Sequence, residues 1–296
     1  VNLNYIVKKY LFSLLLISIA CCTKEEKPLQ PAQIHYVVGQ PYQVGEQWYY
    51  PEENFAYHAT GLAVISKNQK NKVTADGEYY DPQRMTGAHP TLQLPSIIKV
   101  RNVDNGREIS IRLNDRPSSY PSRLLELTPK AGELLGISNG QTAKIEIVEE
   151  ENQSQNLAFE MPNGPQTEMK VNTAPLDTIM VENLNGKSSE NDAKKKSDPT
   201  FQKALNSSLI LKDLPVTFTQ GQITGGQIWI DCGSFTLRIY ANKLAARIGG
   251  RVIYSFEGGR RILHVRSGPY QSVESADQNL DYLLKSGIKG AKIIVE

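Results

Sequence analysis

The chain has 296 residues, with 33 Lys plus Arg against 31 Asp plus Glu and a formal net charge of +2. That near balance gives no reason to expect a nucleic-acid partner. Three cysteines are too few for a disulfide framework, so apolar packing must hold a fold with room for about two domains.

Residues 1–20 have the pattern of a lipoprotein signal peptide. Lys8 and Lys9 precede an apolar run from Leu11 to Ala20 that is too short to span a bilayer. Ser18-Ile19-Ala20-Cys21-Cys22-Thr23 then has the form of a lipobox. Cys21 is the expected lipidated residue, favoured over Cys22 by the small Ala20 before it. Several acyl chains on one cysteine would anchor the protein to a membrane stably. The second mature residue is Cys22, not Asp, so the expected location is an outer-membrane lipoprotein facing the periplasm.

Residues 21–57 form a polar tether that becomes an aromatic arm at Gln40-Pro41-Tyr42 and Trp48-Tyr49-Tyr50-Pro51. Packing of these aromatics onto the following domain is the main expectation, and a sugar-stacking platform is the alternative. Residues 58–149 form the first domain, with strands expected at 61–65, 97–103, 109–113 and 143–148. Asp104-Asn105-Gly106 is a hairpin turn between the second and third strands. One helix is signalled by Thr128 as N-cap, Pro129 at the first position, Leu134 and Leu135 on the apolar face and Gly136 at its end. Short strands, a hairpin and one helix suit a small closed barrel.

Residues 150–222 are rich in Asn, Gln, Ser, Lys and Pro and predict a flexible linker, with an end-to-end distance on the order of 45 Å. A short apolar patch at 209–214 is expected to dock locally. Residues 223–296 follow a βαββαβ order, with strands at 228–232, 251–256, 262–266 and 291–295. The first helix would carry Tyr240, Leu244 and Ile248 on its face. The second would carry Val273, Ala276, Leu280 and Leu283, with Asp277 and Asp281 turned away. Cys232, in an apolar run, is expected to be a buried structural thiol.

Several ordered words in the first domain carry a resemblance. Thr74-Ala75-Asp76-Gly77-Glu78-Tyr79-Tyr80-Asp81 is followed by Gly87-Ala88-His89-Pro90-Thr91-Leu92-Gln93-Leu94-Pro95 and by Val100-Arg101-Asn102-Val103-Asp104-Asn105-Gly106-Arg107. Asn114-Asp115-Arg116 and Glu133-Leu134-Leu135-Gly136 complete the series. Together they resemble the rare lipoprotein A (RlpA) family. The resemblance implies a double-psi β-barrel and an endolytic lytic transglycosylase that cuts between N-acetylmuramic acid and N-acetylglucosamine. In that reaction the muramic C6 hydroxyl attacks C1 and leaves a 1,6-anhydro end. It implies catalytic roles for Glu78, His89 and Asp115. Asp115 follows the apolar strand at 109–113, and partial desolvation there would suit a general acid. Glu78 would be the partner base or stabiliser and His89 the orienting group, with acid and base labels interchangeable at this level.

The sequence departs from the family pattern at three places. Val64-Ile65-Ser66-Lys67-Asn68-Gln69-Lys70-Asn71-Lys72 stands where a Trp-Tyr-Gly word and a Phe-His-Gly-Arg word are usual. Pro117-Ser118 replaces Gly-Pro, and Glu126-Leu127-Thr128 replaces Asp-Leu-Ser. An altered aromatic wall of the groove is therefore expected.

In the C-terminal domain, Gly233-Ser234-Phe235, Ala241-Asn242-Lys243-Leu244 and Val265-Arg266-Ser267-Gly268-Pro269-Tyr270 resemble a SPOR (sporulation-related repeat) domain. This implies binding to denuded glycan strands at the division septum, through Ser234, Phe235, Arg266, Pro269 and Tyr270. The expected architecture is a double-psi β-barrel joined by a long flexible linker to a ferredoxin-like βαββαβ domain. The expected function is a septal peptidoglycan lytic transglycosylase active in cell separation. The alternative is a non-catalytic septal glycan-binding lipoprotein. No metal cluster, phosphate loop or Ser/His/Asp order is evident, so no cofactor is expected.

Overall fold

The computed structural model describes residues 32–67, 72–117, 120–165 and 211–296. The expected signal peptide, Cys21, and 166–210 of the expected linker lie outside the described residues. No described helix is long and apolar enough to cross a membrane.

The arm forms a two-stranded hairpin, β1 (Tyr42–Val44) and β2 (Gln47–Tyr49). The expectation that it packs on the domain holds for two of its rings. Tyr42 and Tyr49 stack at 5.4 Å, Tyr42 Oη donates to the Pro90 carbonyl at 3.0 Å, and the Ser122 N–H donates to Tyr49 Oη. Trp48 and Tyr50 stay exposed, at 45% and 65%.

The barrel strands are β3 (His58–Ile65), β4 (Thr86–Ala88), β5 (Ser96–Asn102), β6 (Arg107–Asp115), β7 (Leu125–Leu127) and β8 (Thr142–Glu149). Their hydrogen-bonded order is β4-β7-β3-β8-β5-β6, and β6 pairs back with β4, which closes a six-stranded barrel. Two of the pairings, β3–β7 and β4–β6, are parallel. Period-two patterning fills the interior: Ile98 and Val100 point in, while Lys99 and Arg101 point out. Ile109, Ile111, Leu113, Ile145 and Ile147 complete that core. Each such side chain contributes about 1.5–3 kcal/mol by leaving water.

The turn after β5 is a hairpin, and Gly106 sits at φ +74, where a side chain would be strained. The expected helix is α1 (Pro129–Leu134). Thr128 Oγ1 accepts the Ala131 N–H, and Gly136 at φ +76 follows its end.

The linker expectation needs correction in its described parts. Residues Glu151–Glu160 form α2, whose Ser154 Oγ accepts the Ile97 N–H at 2.9 Å beside β5. Ala158, Met161 and Leu211 bury with Ile34 and Tyr36 in a small side cluster. The physical reason is that a few apolar contacts and one buried serine suffice to dock a helix whose composition is otherwise polar. In the described part of the 209–214 patch, 211–214, the expected docking is seen: Leu211 is buried and Leu214 packs on the barrel core. β9 (Thr219–Gln220) then adds to β6.

The C-terminal unit is β10 (Ile228–Phe235), α3 (Arg238–Ile248), β11 (Arg251–Glu257), β12 (Arg260–Tyr270), α4 (Val273–Lys285) and β13 (Lys292–Val295). Its antiparallel sheet has the order β11-β12-β10-β13, the ferredoxin-like arrangement. α4 buries Ala276, Leu280 and Leu283 as its spacing predicts. Leu244 and Ile248 of α3 pack on the core as expected, and Ala241 and Ala245 are buried beside them; the correction is Tyr240, which is 58% exposed. Small alanines let α3 approach the sheet closely, and the large ring is left outside. Cys232 is buried, and burial, reinforced by neighbouring Asp231, pushes its thiol up to about 12.

This unit docks on the barrel. Leu62 of β3 and Val103 join its apolar core, and the Val295 N–H donates to Thr60 Oγ1. Residues 61–64 of β3 are consequently buried on both faces, which breaks the in–out alternation of a half-exposed strand.

Candidate active site

β6 ends at Asp115, β7 carries Glu126, and β4 runs between them, with Ala88 in register with both. Two strand spacings put the two Cα atoms about 9–10 Å apart on one face of the barrel. Both carboxyls line a narrow pocket together with Ser66, Lys72, Tyr80 and Ala88. Asp115 Oδ2 accepts from Lys72 Nζ at 2.6 Å, and Oδ1 accepts from the N–H groups of Ala75 and Arg116 at 3.1 and 2.9 Å. All three of these partners are donors. Glu126 is 3% exposed and accepts the Tyr120 N–H at 3.1 Å. An aromatic ring remains at the pocket: Tyr80, whose hydroxyl meets Ser66 Oγ at 2.9 Å.

Glu78 lies beneath this pocket rather than in it. It is 1% exposed; Oε1 accepts from Arg112 at 2.7 Å and Arg84 at 3.2 Å, and Oε2 accepts from Asn114 at 2.8 Å. Its geometry fixes Asn114, the residue before Asp115. Gly77 is required just before it: a Cβ there would stand 2.1 Å from the Gln33 carbonyl oxygen, and φ is +92.

Asp76, in the same word, is also fully buried. Its Oδ1 accepts from Thr74 Oγ1 and the Glu78 N–H, and its Oδ2 has no partner. Burial, with the nearby Glu78 charge added, raises its carboxyl to about 7.

His89 is wholly buried. Nδ1 accepts the Thr91 and Leu92 N–H groups at 3.2 and 3.0 Å, so in the neutral ring the proton sits on Nε2, which has no hydrogen-bond partner. Burial first, and then the Arg116 guanidinium, depress the ring to about 3. Tyr57 packs edge-on at 5.1 Å. The ring thus shapes the 89–92 turn, and its backbone N–H donates to the Asp115 carbonyl at 3.2 Å. Arg116 ties the same turn down by donating to the carbonyls of His89, Leu92 and Val38.

The three residues expected at the site therefore converge at three depths: Asp115 at the pocket, Glu78 below it and His89 behind it. Glu126, Lys72 and Asp76 received no role from the sequence. Glu126 had a readable signal, because Glu126-Leu127-Thr128 retains a carboxylate where the family has Asp-Leu-Ser. Lys72 had none.

In the C-terminal unit, Ser234 Oγ meets His264 Nδ1 at 3.1 Å, and Arg266 pairs with Glu296. Phe235 and Tyr270 pack against that unit's core, and Tyr270 Oη also meets Ser267 Oγ. Pro269 follows Gly268 within β12. Among the described residues, no group of three or more His, Cys, Asp or Glu side chains is placed to hold a metal ion.

A closed barrel with two carboxyls at its mouth, followed by a ferredoxin-like unit, defines a double-psi β-barrel protein with a C-terminal SPOR domain. The comparisons agree: residues 44–147 match the lytic transglycolase family model and residues 224–294 match that of the SPOR domain. Over the first of these segments the chain is similar to proteins of the rare lipoprotein A family. It is 40% identical over 115 residues to the endolytic peptidoglycan transglycosylase RlpA of Yersinia pestis, covering 38% of this chain and 31% of that protein. The protein of that name from Pseudomonas aeruginosa (strain UCBPP-PA14) is 38% identical over 113 residues, covering 38% and 33%. The one from Rickettsia felis is 32% identical over 117 residues, covering 38% and 51%. The matches thus span between about a third and a half of these relatives' own lengths.

Proposed function

We propose that the protein is an endolytic peptidoglycan lytic transglycosylase acting on denuded glycan strands in the septal cell envelope, anchored to the outer membrane through Cys21. One observation carries the reading: Asp115 and Glu126 flank Ala88 and line one pocket of a barrel matched by the lytic transglycolase model.

The reaction needs one group to protonate the leaving oxygen and another to take the proton of the muramic C6 hydroxyl. Asp115, surrounded by Lys72 and two backbone N–H groups, is arranged as the base. Glu126 is then the acid. As the C1–O bond breaks, Glu126 gives its proton to the departing glucosamine oxygen. The C6 oxygen bonds to C1, and its proton passes to Asp115. No water is consumed, and a proton moved from Asp115 back to Glu126 resets the site. Glu78 acts as a positioning residue through Arg112 and Asn114, and His89 does so through the 89–92 turn. Tyr80 supplies aromatic surface in place of the missing Trp-Tyr-Gly wall.

Mass spectrometry of soluble products from amidase-treated peptidoglycan tests this. The expected products are 1,6-anhydromuramyl oligosaccharides. Reducing-end fragments would mean a hydrolase. Retention on glycan with no release would mean a non-catalytic binding protein.

A further inference from the structure

Residues 211–220 lead toward the SPOR unit and touch β6, the strand that ends at Asp115, at two heights. Near the start of β6, Gln220 and Thr219 of β9 pair with Arg107 and Glu108, and the Arg107 guanidinium stands 4.7 Å from the centre of the Phe218 ring. Near its end, Arg112 Nη1 donates to the Lys212 carbonyl at 3.1 Å. Leu211 and Leu214 anchor the segment in two different apolar clusters. The segment lies outside both stretches matched by family models, 44–147 and 224–294.

Arg112 is only 3% exposed, and its fork has two partners: Nη2 donates to Glu78 Oε1 at 2.7 Å while Nη1 holds the Lys212 carbonyl. Arg84 bridges in the same way, with Nη1 3.2 Å from Glu78 Oε1 and Nε 2.8 Å from Asp213 Oδ1. Both guanidinium groups that pair with the buried Glu78 carboxylate are thus tied to the segment on their other side. A guanidinium is planar, so a partner that fixes one nitrogen fixes the direction of the others. A buried ion pair recovers its desolvation cost only when its remaining donors are also met, and the Lys212 carbonyl meets one of them. Glu78 in turn accepts from Asn114 at 2.8 Å, and Asn114 both precedes Asp115 and lines the catalytic pocket. No residue of 211–220 lines that pocket, so the segment acts on the site through this relay and not by touching substrate.

We propose that residues 211–220 are a positioning element for Asp115. Lys212 and Asp213 orient Arg112 and Arg84, these two hold Glu78, and Glu78 holds Asn114 and the end of β6. The proposal rests on the reading of Asp115 as a proton-transfer group. It adds that the barrel's site is complete only when the chain on the SPOR side is docked, which couples the two domains through the strand that carries Asp115.

The test compares full-length wild type with Asp213→Ala, with the double variant Asp213→Ala plus Leu214→Ala, and with the conservative Asp213→Glu. Release of 1,6-anhydro products from amidase-treated peptidoglycan gives kcat and KM. Amide hydrogen exchange gives a readout independent of activity. The Ala75 N–H donates to Asp115 Oδ1 and the Asp76 N–H donates to the Asn114 carbonyl, so both report where the end of β6 sits. The Asp213 side chain is 64% exposed, so its truncation leaves the core whole, and an unchanged thermal melt checks this. The expected result is kcat lowered about tenfold in the double variant and less in Asp213→Ala, with KM within about twofold. Exchange at Ala75 and Asp76 should quicken while the β3–β8 ladder stays protected, and Asp213→Glu should recover most of both effects. Unchanged kcat in the double variant would overturn the proposal and leave the enzymatic reading in place. Equal loosening of the β3–β8 ladder would overturn it too, because the segment would then only stabilise the fold. If wild type released no anhydro product, the enzymatic reading would fall, and unchanged exchange at Ala75 and Asp76 would then sink the positioning role separately.

Discussion

Two buried groups beside the site, Asp76 and His89, respond to pH in opposite senses. Asp76 is raised to about 7, so the native state holds its proton over a range in which the unfolded chain, with an ordinary carboxyl near about 4, has lost it. Its contribution to stability is complete below about 4 and is lost as pH rises through about 7. His89 is depressed to about 3, so its contribution is complete above the ordinary imidazole value of about 6.5 and is lost as pH falls toward 3. Over the overlapping range the two slopes cancel. Asp76→Asn keeps an oxygen to accept from Thr74 and the Glu78 N–H and removes the titration. We expect the variant to gain on wild type by about 1.4 kcal/mol per pH unit between about 4 and 7, and no further above. Denaturant unfolding across that range measures it, and a pH-independent difference would count against the assignment. The sequence placed Asp76 in the right word, but burial and an unmatched oxygen are properties of the loop's approach to Gln33 and Asn114, which no local pattern encodes.

At the scale of elements, the long periodic segments were legible and the short ones were not. β3, β5, β6 and β8 carry clear apolar alternation or runs, and α1 has its Thr128 cap and proline in sequence. β4 and β7 are three residues each, too short for a period, yet they place Ala88 and Glu126. Asp115 was legible because it closes a long strand; the carboxylate of Glu126 was readable in its word, but its place opposite Ala88 was not, because its strand exists only by pairing with β3 and β4. The same fine positioning gives Thr128 two tasks: its hydroxyl donates to the Arg84 carbonyl at 2.7 Å and accepts the Ala131 N–H. Thr128→Ala should therefore cost about 1–2 kcal/mol, read as a lowered denaturation midpoint at unchanged m-value. A Thr128→Ser variant, which retains the hydroxyl, should recover most of it.

Across the whole molecule, the SPOR unit and the barrel form one body through an apolar contact at Leu62 and Val103 and a bidentate pair. Arg123 Nη1 and Nη2 donate to the two Asp277 oxygens at 2.7 Å each, with the Arg123 side chain 9% exposed and that of Asp277 36% exposed. Asp277 was expected only to lie off the apolar face of its helix, and it does; its partner, 154 residues earlier, was beyond any local reading. A double-mutant cycle with Arg123→Ala and Asp277→Ala should give a coupling of about 1 kcal/mol, modest because one partner is partly solvated. Asp277→Ala should also speed hydrogen exchange at β13, where Val295 donates to Thr60. Unchanged exchange there would mean that the apolar contact alone holds the domains.

The central claim is that Asp115 and Glu126 share one proton-transfer site at the barrel mouth. The most direct measurement is the rate of release of 1,6-anhydromuramyl products from amidase-treated peptidoglycan by wild type, Asp115→Asn and Glu126→Gln, each checked for glycan binding. The account predicts a loss of about 100-fold or more in both variants with glycan affinity retained. Full activity in either variant, with the fold unchanged, would contradict it.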